Sequence, residues 1–445
     1  MKIKKTILAN DSFELKPETD GYLETIALAG FKIREVDIGD ITFRGGQQEP
    51  VHRWFRLTPS YSPNLVRFFL KELKVKKSDF VFDPFSGRGT TVIECQRNSI
   101  NATALELNPL FRLIGKYSLD LTVGDLTLFD QYLNQLSKLI DKNKAKSLES
   151  IIKSYKVQIP DIHDVFRWWK EPVLKDLLIA KHLHESLEFL EIKNYLWIAL
   201  NMASLECANI HRNHPTISFD DDHSRDINVY IDVHERIKKI QEDLSILKHE
   251  NYEGVDCDIN LGDSVNLASS LKDSGLKAKP SVVITSPPYP NRFSYIHQTR
   301  PQLHFMEVIL DRKEATELDL KAIGGTWGRA TSILMKELMV PSKEFESILT
   351  YFGELSEKSV LMCNYATKYF LDLDKHLSDL KKVMKKECRG AYVVGNSRLS
   401  GVEIHTEIIL AKLFEKNGFR VPEILVFRKR GGKKKLYETA VCFTN

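Results

Sequence analysis

Two hydrophobic rhythms divide the chain. Residues 1–50 are mixed in character and end in a loop at Gly45-Gly46. HRWFRLTPSYSP follows, and the apolar positions of NLVRFFLKELKV then recur as they do on one face of a helix. DFVFDPFSGRGTTVIECQRN passes from a solid apolar run to glycines and back to helical spacing, which predicts strand, turn and helix. A second strand is expected in ATALELNP, about residues 102–109, so the region opens an α/β sheet. From about 117 to 250 the spacing is almost wholly helical. VFRWWKEPVLKDLLIAKHLHESLEFL and NYLWIALNMASLECANI give the strongest signals, and a polar loop, HRNHPTISFDDDHSRD, separates them from the charged helix VHERIKKIQEDLSILKHE. Strand rhythm resumes at 255 with VDCDINLGDS, ending at Gly262-Asp263, and SVVITSPPY. An irregular stretch, about 308–345, holds IGGTWGRATS; a helix at about 371–386, the strand RGAYVVGNS and the helix HTEIILAKLFEKNGF come next. VPEILVFRKR and LYETAVCFT flank a Gly-Gly turn and read as a hairpin. The expected organisation is an extension at 1–50, one sheet domain from 51–116 and 251–445, and a helical insertion at 117–250.

The chain has 445 residues, 42% hydrophobic and 28% charged, as in ordinary globular proteins. Lys+Arg 64 against Asp+Glu 60 leaves +4, so any basic footprint must be local. The six cysteines show neither metal nor disulfide spacing, which fits a reducing compartment, and no apolar run approaches bilayer length. A cytoplasmic protein with no membrane association is expected.

Chemistry gathers at the predicted strand ends. In Asp83-Pro84-Phe85-Ser86-Gly87-Arg88-Gly89-Thr90-Thr91 the glycines let backbone approach a ligand, although a plain strand-to-helix turn uses glycine too. No Lys-Ser/Thr pair follows, which argues against a P-loop. Glu106 ends the next strand about 20 residues on, where an acid commonly grips ribose hydroxyls. Asp263 ends the third strand, suited to an adenine amine or to an Asx turn. In Ser286-Pro287-Pro288-Tyr289 two prolines cannot donate ladder bonds and each fixes its φ, so the segment is a stiff extended exit holding a hydroxyl, carbonyls and a ring.

DPFSGRGTT together with TSPPY resembles the S-adenosylmethionine-dependent amino-methyltransferases of DNA, the N4-cytosine/N6-adenine family. HRWFRLTPSYSP, with Trp54, is similar to the cofactor-binding segment that precedes the glycine loop in many of them. The resemblance covers about 51–115 and 255–445 and leaves the insertion outside. It implies a Rossmann-like methyltransferase sheet with a terminal antiparallel hairpin. S-adenosyl-L-methionine would be held by Trp54, Asp83, Pro84, Phe85, Ser86, Gly87, Gly89, Thr90, Thr91, Glu106 and Asp263, with catalysis at Ser286, Pro287, Pro288 and Tyr289 and no metal. Double-stranded DNA is the implied partner, a restriction-modification system the implied setting, and a cognate restriction endonuclease a further partner. The cofactor loop precedes the catalytic tetrapeptide, as in the alpha and gamma arrangements; the position of the larger insertion leaves the choice between them open.

An exocyclic amine is a poor nucleophile because its lone pair is delocalised into the ring. Acceptors for both its hydrogens localise that pair; Ser286 Oγ and the Pro287 carbonyl are the candidates, preorganised by the prolines. Tyr289 would stack on the base, which must be flipped out of the duplex. In the resembling families serine at this position mostly accompanies cytosine, and an acid or amide adenine, so N4 of cytosine is expected and N6 of adenine is the alternative. C5 chemistry is disfavoured, since it needs a Pro-Cys nucleophile and none of the six cysteines follows proline.

For DNA contacts the candidates are Asn291 and Arg292, His211, Arg212 and Arg225 in the polar loop, and Arg428 and Arg430 in a hairpin turn rich in cations. Solvated surface is the bland reading of each. The insertion, helped by 308–345, is expected to read the target. His211, His214, Asp220–Asp222 and His223 give a weak metal-like pattern, and Pro160-Asp161 with Glu191-Ile-Lys193 a loose nuclease pattern on helical sequence. A bifunctional restriction enzyme or a non-catalytic nucleic-acid binder are the competing readings.

Overall fold

The structure is a computed structural model. It describes every residue except 1, 8–20, 40, 42–45, 47, 57–59, 123, 189, 212–215, 223–224, 249, 251, 253, 275–277, 310, 325–328, 337–351 and 431–435. The described residues form eleven strands: β1 Lys2–Ile7, β2 Ile33–Asp37, β3 Phe80–Asp83, β4 Asn101–Glu106, β5 Cys257–Leu261, β6 Val282–Thr285, β7 Arg389–Gly395, β8 Ser397–Leu399, β9 Val402–Ile404, β10 Arg420–Arg430 and β11 Leu436–Thr444. Nine of them make one sheet in the order β1-β2-β10-β11-β7-β6-β3-β4-β5, and β8 and β9 pair by themselves. The block β5-β4-β3-β6-β7 is parallel throughout. β11 enters antiparallel between β7 and β10, which closes the hairpin. Strand order reverses between β3 and β6, and at such a switch point the carboxyl ends of the strands leave a crevice.

The inner parallel strands β3, β6 and β7 carry runs of successive apolar residues because both faces are covered. Val81, Val282 and Ile284 pack on the face that carries the insertion. Phe82, Val283, Tyr392 and Val394 face helices Val360–Val383 and Thr406–Lys416. The architecture is therefore a Rossmann-like α/β sheet with a terminal hairpin and a large helical insertion. Among the described residues no helix is long and apolar enough to cross a membrane.

Three expectations shift in detail. Residues 33–37 are not an appendage: β2 runs parallel to β10 and extends the sheet, with β1 outside it. The strand expected at 102–109 stops at Glu106, because Asn108 caps the helix that starts at Pro109. The long helix around Trp168-Trp169 is broken. Trp169 is extended, its indole donates to the Ser204 carbonyl at 2.7 Å, and a new helix begins at Glu171 with Pro172 in its first turn.

The insertion runs from Thr127–Asn143 to Val229–Leu247 and docks through polar anchors. Asp243, with no exposed surface, accepts from Val51 N at 3.0 Å, Arg53 Nε at 2.9 Å and Trp54 Nε1 at 2.8 Å. Gln302 donates to Asn201 Oδ1 at 2.8 Å, and Ile217 N donates to Gln298 Oε1 at 2.7 Å. Both glutamines lie on helix Tyr295–Phe305, just beyond the double proline.

Candidate active site

At the carboxyl ends of β3, β4 and β6 lies a cavity of about 300 Å³, lined by the glycine loop, Glu106, Asp263 and all four residues of Ser286-Pro-Pro-Tyr289. The loop depends on two positive backbone angles, φ 52° at Gly87 and 90° at Gly89. A Cβ on Gly89 would stand 2.7 Å from Ile259 Cδ1 and 3.3 Å from Gly115 Cα, so this glycine also sets helix-to-sheet packing.

Asp83 stands behind the loop. It has no exposed surface and does not line the cavity. Its carboxylate accepts from Thr285 Oγ1 at 2.5 Å, Phe85 N at 3.0 Å and Tyr61 Oη at 3.3 Å. Burial pushes its pKa up against these bonds, which favour the charge. Thr91, also fully buried, donates to the Ile284 carbonyl at 3.3 Å. Asp83 and Thr91 thus lock the end of β3 to the end of β6 and fix the glycine loop relative to the double proline. Trp54 is likewise away from the cavity: it is 3% exposed, bonded to Asp243 and edge-on to Tyr195. Trp54, Asp83, Gly89 and Thr91 thus do not line the cavity, while Pro84, Phe85, Ser86, Gly87 and Thr90 do.

Glu106 accepts from Gly87 N at 2.6 Å and from Asn108 N at 2.8 Å. Burial, with Asp83 adding in the same direction, raises its pKa to about 8 against those bonds. Asp263 fulfils the Asx alternative as well as lining the cavity: Oδ1 accepts from Val265 N at 2.9 Å and Oδ2 from Asn266 Nδ2 at 2.5 Å. Ser60 Oγ and Ser86 Oγ, both on the cavity wall, are buried with no hydrogen-bond partner among the described residues. Orphaned hydroxyls of this kind need a polar partner from elsewhere. A small ligand with polar groups at one end and hydroxyls near Glu106 fits that lining.

At the other end of the cavity, Ser286 Oγ donates to the Val393 carbonyl at 3.1 Å. Its single hydrogen is used there and the Tyr289 phenol bonds to the same oxygen, which leaves one lone pair as an acceptor. Tyr369 Oη occupies the Pro288 carbonyl at 2.7 Å, whereas no described residue donates to the Pro287 carbonyl. Tyr289 lines the same space, and burial pushes its phenol pKa well up.

Several wall residues lie outside the motifs: Ser60, Tyr61, Asn108, Phe111, Phe293, Tyr295, Lys321 and Glu438. TPSYSP and NRFSY carry four of them, and their nearness to the motifs was the available signal; Lys321 and Glu438 had none. Of the candidate DNA contacts, Asn291 lines the cavity and Arg292 is exposed beside it, with φ 58°. Arg225 is not free for phosphate, because its guanidinium donates to the carbonyls of Glu206, at 3.1 Å, and Ala208. His211 is exposed and pairs through its backbone with Ser218; Arg212, His214, His223 and Lys433–Lys435 lie outside the described residues. Arg428 and Arg430, expected at a phosphate-contacting turn, line the cavity instead. Arg428 Nε pairs with Glu438 at 2.7 Å, and Arg430 stands over the Tyr289 ring at 4.9 Å. Glu191 and Lys193 sit on helix Leu190–Glu206, and among the described residues no cluster of three or more metal-type ligands occurs.

Numbered along the chain from β3 and leaving out β8 and β9, seven strands of the large sheet lie in the order 3-2-1-4-5-7-6, a Rossmann-like α/β arrangement with the cavity at its switch point. No family model matches the chain. It is 22% identical over 407 residues to the Type II methyltransferase M.MvaI of Kocuria varians, covering 87% of this chain and 86% of that protein. Type II methyltransferase M.BsoBI of Geobacillus stearothermophilus is 22% identical over 448 residues, 88% of this chain and 83% of the relative. Type II methyltransferase M.AvaI of Nostoc sp. is 22% identical over 427 residues, 87% and 82%. Among solved structures, the rRNA methyltransferase aviRa from Streptomyces viridochromogenes covers 86% of each chain at 11% identity and a TM-score of 0.30, too low to inform either fold or function.

Proposed function

We propose that this protein is a site-specific DNA methyltransferase that transfers a methyl group from S-adenosyl-L-methionine to the exocyclic N4 of cytosine in duplex DNA after base flipping. The observation that carries the reading is the pair of open acceptors at the end of β6. Ser286 Oγ donates its hydrogen bond to the Val393 carbonyl and keeps a lone pair beside its bond to Tyr289, and the Pro287 carbonyl has no described donor, in the cavity that also holds Gly87 and Glu106. Similarity along most of the chain to Type II methyltransferases supports the same class.

When bound, the cofactor supplies an electrophilic methyl carbon on a sulfonium. Glu106 would accept from its ribose hydroxyls, Asp263 from its adenine amine, and Ser60 and Ser86 would meet its amino-acid end. Ser286 Oγ and the Pro287 carbonyl each accept one hydrogen of the target amine, pulling nitrogen towards sp³ and localising its lone pair. That pair would form the new N–C bond, with the electrons of the broken S–C bond left on sulfur, and nitrogen would lose a proton to solvent. The double proline prevents the acceptors from relaxing away, so their dipoles need no reorganisation during transfer. The insertion, with the segment around 308–345, reads the target sequence in this proposal. Adenine N6 is the second reading, since both bases present an amine beside a ring nitrogen.

The test is nucleoside mass spectrometry of duplex DNA incubated with the purified protein and cofactor. N4-methylcytosine that vanishes with Ser286→Ala is the expected product. N6-methyladenine as sole product would overturn the cytosine assignment, and no methylated base with any duplex would overturn the enzyme.

A further inference from the structure

We propose that Arg430 is a positioning residue for Tyr289: a fixed guanidinium plate that holds the tyrosine ring in the orientation in which a flipped base stacks on it. The inference goes beyond the methyltransferase reading and rests on it.

Arginine next to a hairpin turn is ordinarily a solvated cation with many rotamers. Arg430 is held at three places instead. Its Nε donates to the Tyr437 carbonyl at 2.9 Å and a terminal nitrogen to the Asn396 carbonyl at 2.5 Å. Its Cζ lies 4.9 Å from the centre of the Tyr289 ring, within cation–π range. The frame around it is rigid. Asn396 has no exposed surface, and its side chain accepts from Tyr437 N at 2.6 Å and donates to Glu403 at 2.7 Å. The Tyr437 ring is stacked on Tyr22 at 3.8 Å.

Gly395 supplies an independent observation. It ends β7 with an ordinary backbone, so no turn conformation demands glycine there. A Cβ at this position, however, would stand 2.9 Å from Arg430 Nε and closer still to the rest of the guanidinium. The absent side chain is what lets the plate lie against the sheet. Three strands thus converge on one flat cation: β7 leaves room for it, β10 carries it and β11 accepts from it. Lysine could not replace it, since an ammonium has neither the plane nor the two-donor fork. Two of its five N–H donors are engaged by carbonyls.

The ring needs such support because the double proline fixes the backbone of the segment but not χ1 and χ2 of Tyr289. A misplacement of about 1 Å in a reacting pair can lower a rate about 100-fold. Arg430→Lys and Gly395→Ala, the latter displacing the plate without removing any polar group, should each lower kcat about tenfold or more. Cofactor affinity by calorimetry should stay within about twofold and so report an intact fold. With 2-aminopurine at the target position of a duplex, both variants should give brighter fluorescence than wild type, because the flipped base loses its stack. In a Tyr289→Ala background, Arg430→Lys should cause no further loss. A kcat within about twofold of wild type for both variants, or an equal additional loss in the Tyr289→Ala background, would overturn the role of Arg430. A wild-type protein that binds cofactor but methylates no DNA would overturn the function and the positioning role together, and is told apart by the wild-type assay alone.

Discussion

Glu106 should make cofactor affinity depend on pH. Burial, reinforced by Asp83, raises its pKa to about 8 despite the bonds from Gly87 N and Asn108 N. Below that value the unliganded carboxyl is mostly protonated. Ribose hydroxyls donate better to a carboxylate than to a neutral acid, so binding draws on the ionised fraction. That fraction is about one tenth at pH 7 and about one hundredth at pH 6, so the apparent Kd should rise about tenfold per pH unit below 8. Binding at pH 7 should release about one proton per site. The linkage sign for stability runs the other way from that of a salt-bridged acid. The folded pKa is raised, so the unliganded protein carries a contribution present at low pH that is lost as pH climbs from the ordinary carboxylate range through about 8. Titration calorimetry from pH 6 to 9, in two buffers of different ionisation enthalpy, reads both the affinity and the proton release. The cofactor's own α-amino group titrates near pH 8, so the same series on Glu106→Gln isolates the protein's share. Wild-type and Glu106→Gln profiles of equal slope would refute the reasoning.

Asp243→Ala leaves the Arg53 guanidinium and two N–H donors without their buried acceptor and should cost about 3–5 kcal/mol in denaturant unfolding. Glu242→Ala, whose side chain is 64% exposed and pairs with the same arginine at 3.3 Å, should change stability by less than about 1 kcal/mol. Gly89→Ala combines a left-handed backbone with the clash on Ile259 and should destabilise by about 1–3 kcal/mol; Gly401→Ala, with φ 84° and nothing within 4 Å, should cost less, both read by thermal unfolding. Replacing the loop 209–225 by a neutral linker should abolish target preference, read by sequencing methylated DNA, while cofactor affinity by calorimetry stays at the wild-type value.

What the sequence by itself determined was local. The strand–glycine–helix unit at 80–97 was legible because each residue type answers to its own backbone: apolar β-formers, then two glycines with positive φ, then a helix. The stiffness of Ser286-Pro-Pro-Tyr289 follows from proline geometry in any fold, and the insertion's helices from their spacing. Tertiary structure decided which of these residues share a cavity. Trp54 and Asp83 sit beside motif residues in sequence, yet one serves the insertion interface and the other the junction of β3 with β6, because buried polar groups go where partners are. Residues 33–37 gave no sign of joining the sheet, since their partner, β10, lies almost 400 positions away. Arg430 read as one of six cations at a turn. Only the insertion of β11 between β7 and β10 carries it to Gly395 and Tyr289, and no local pattern encodes a contact that joins the terminal hairpin to the end of β7 and to the loop after β6.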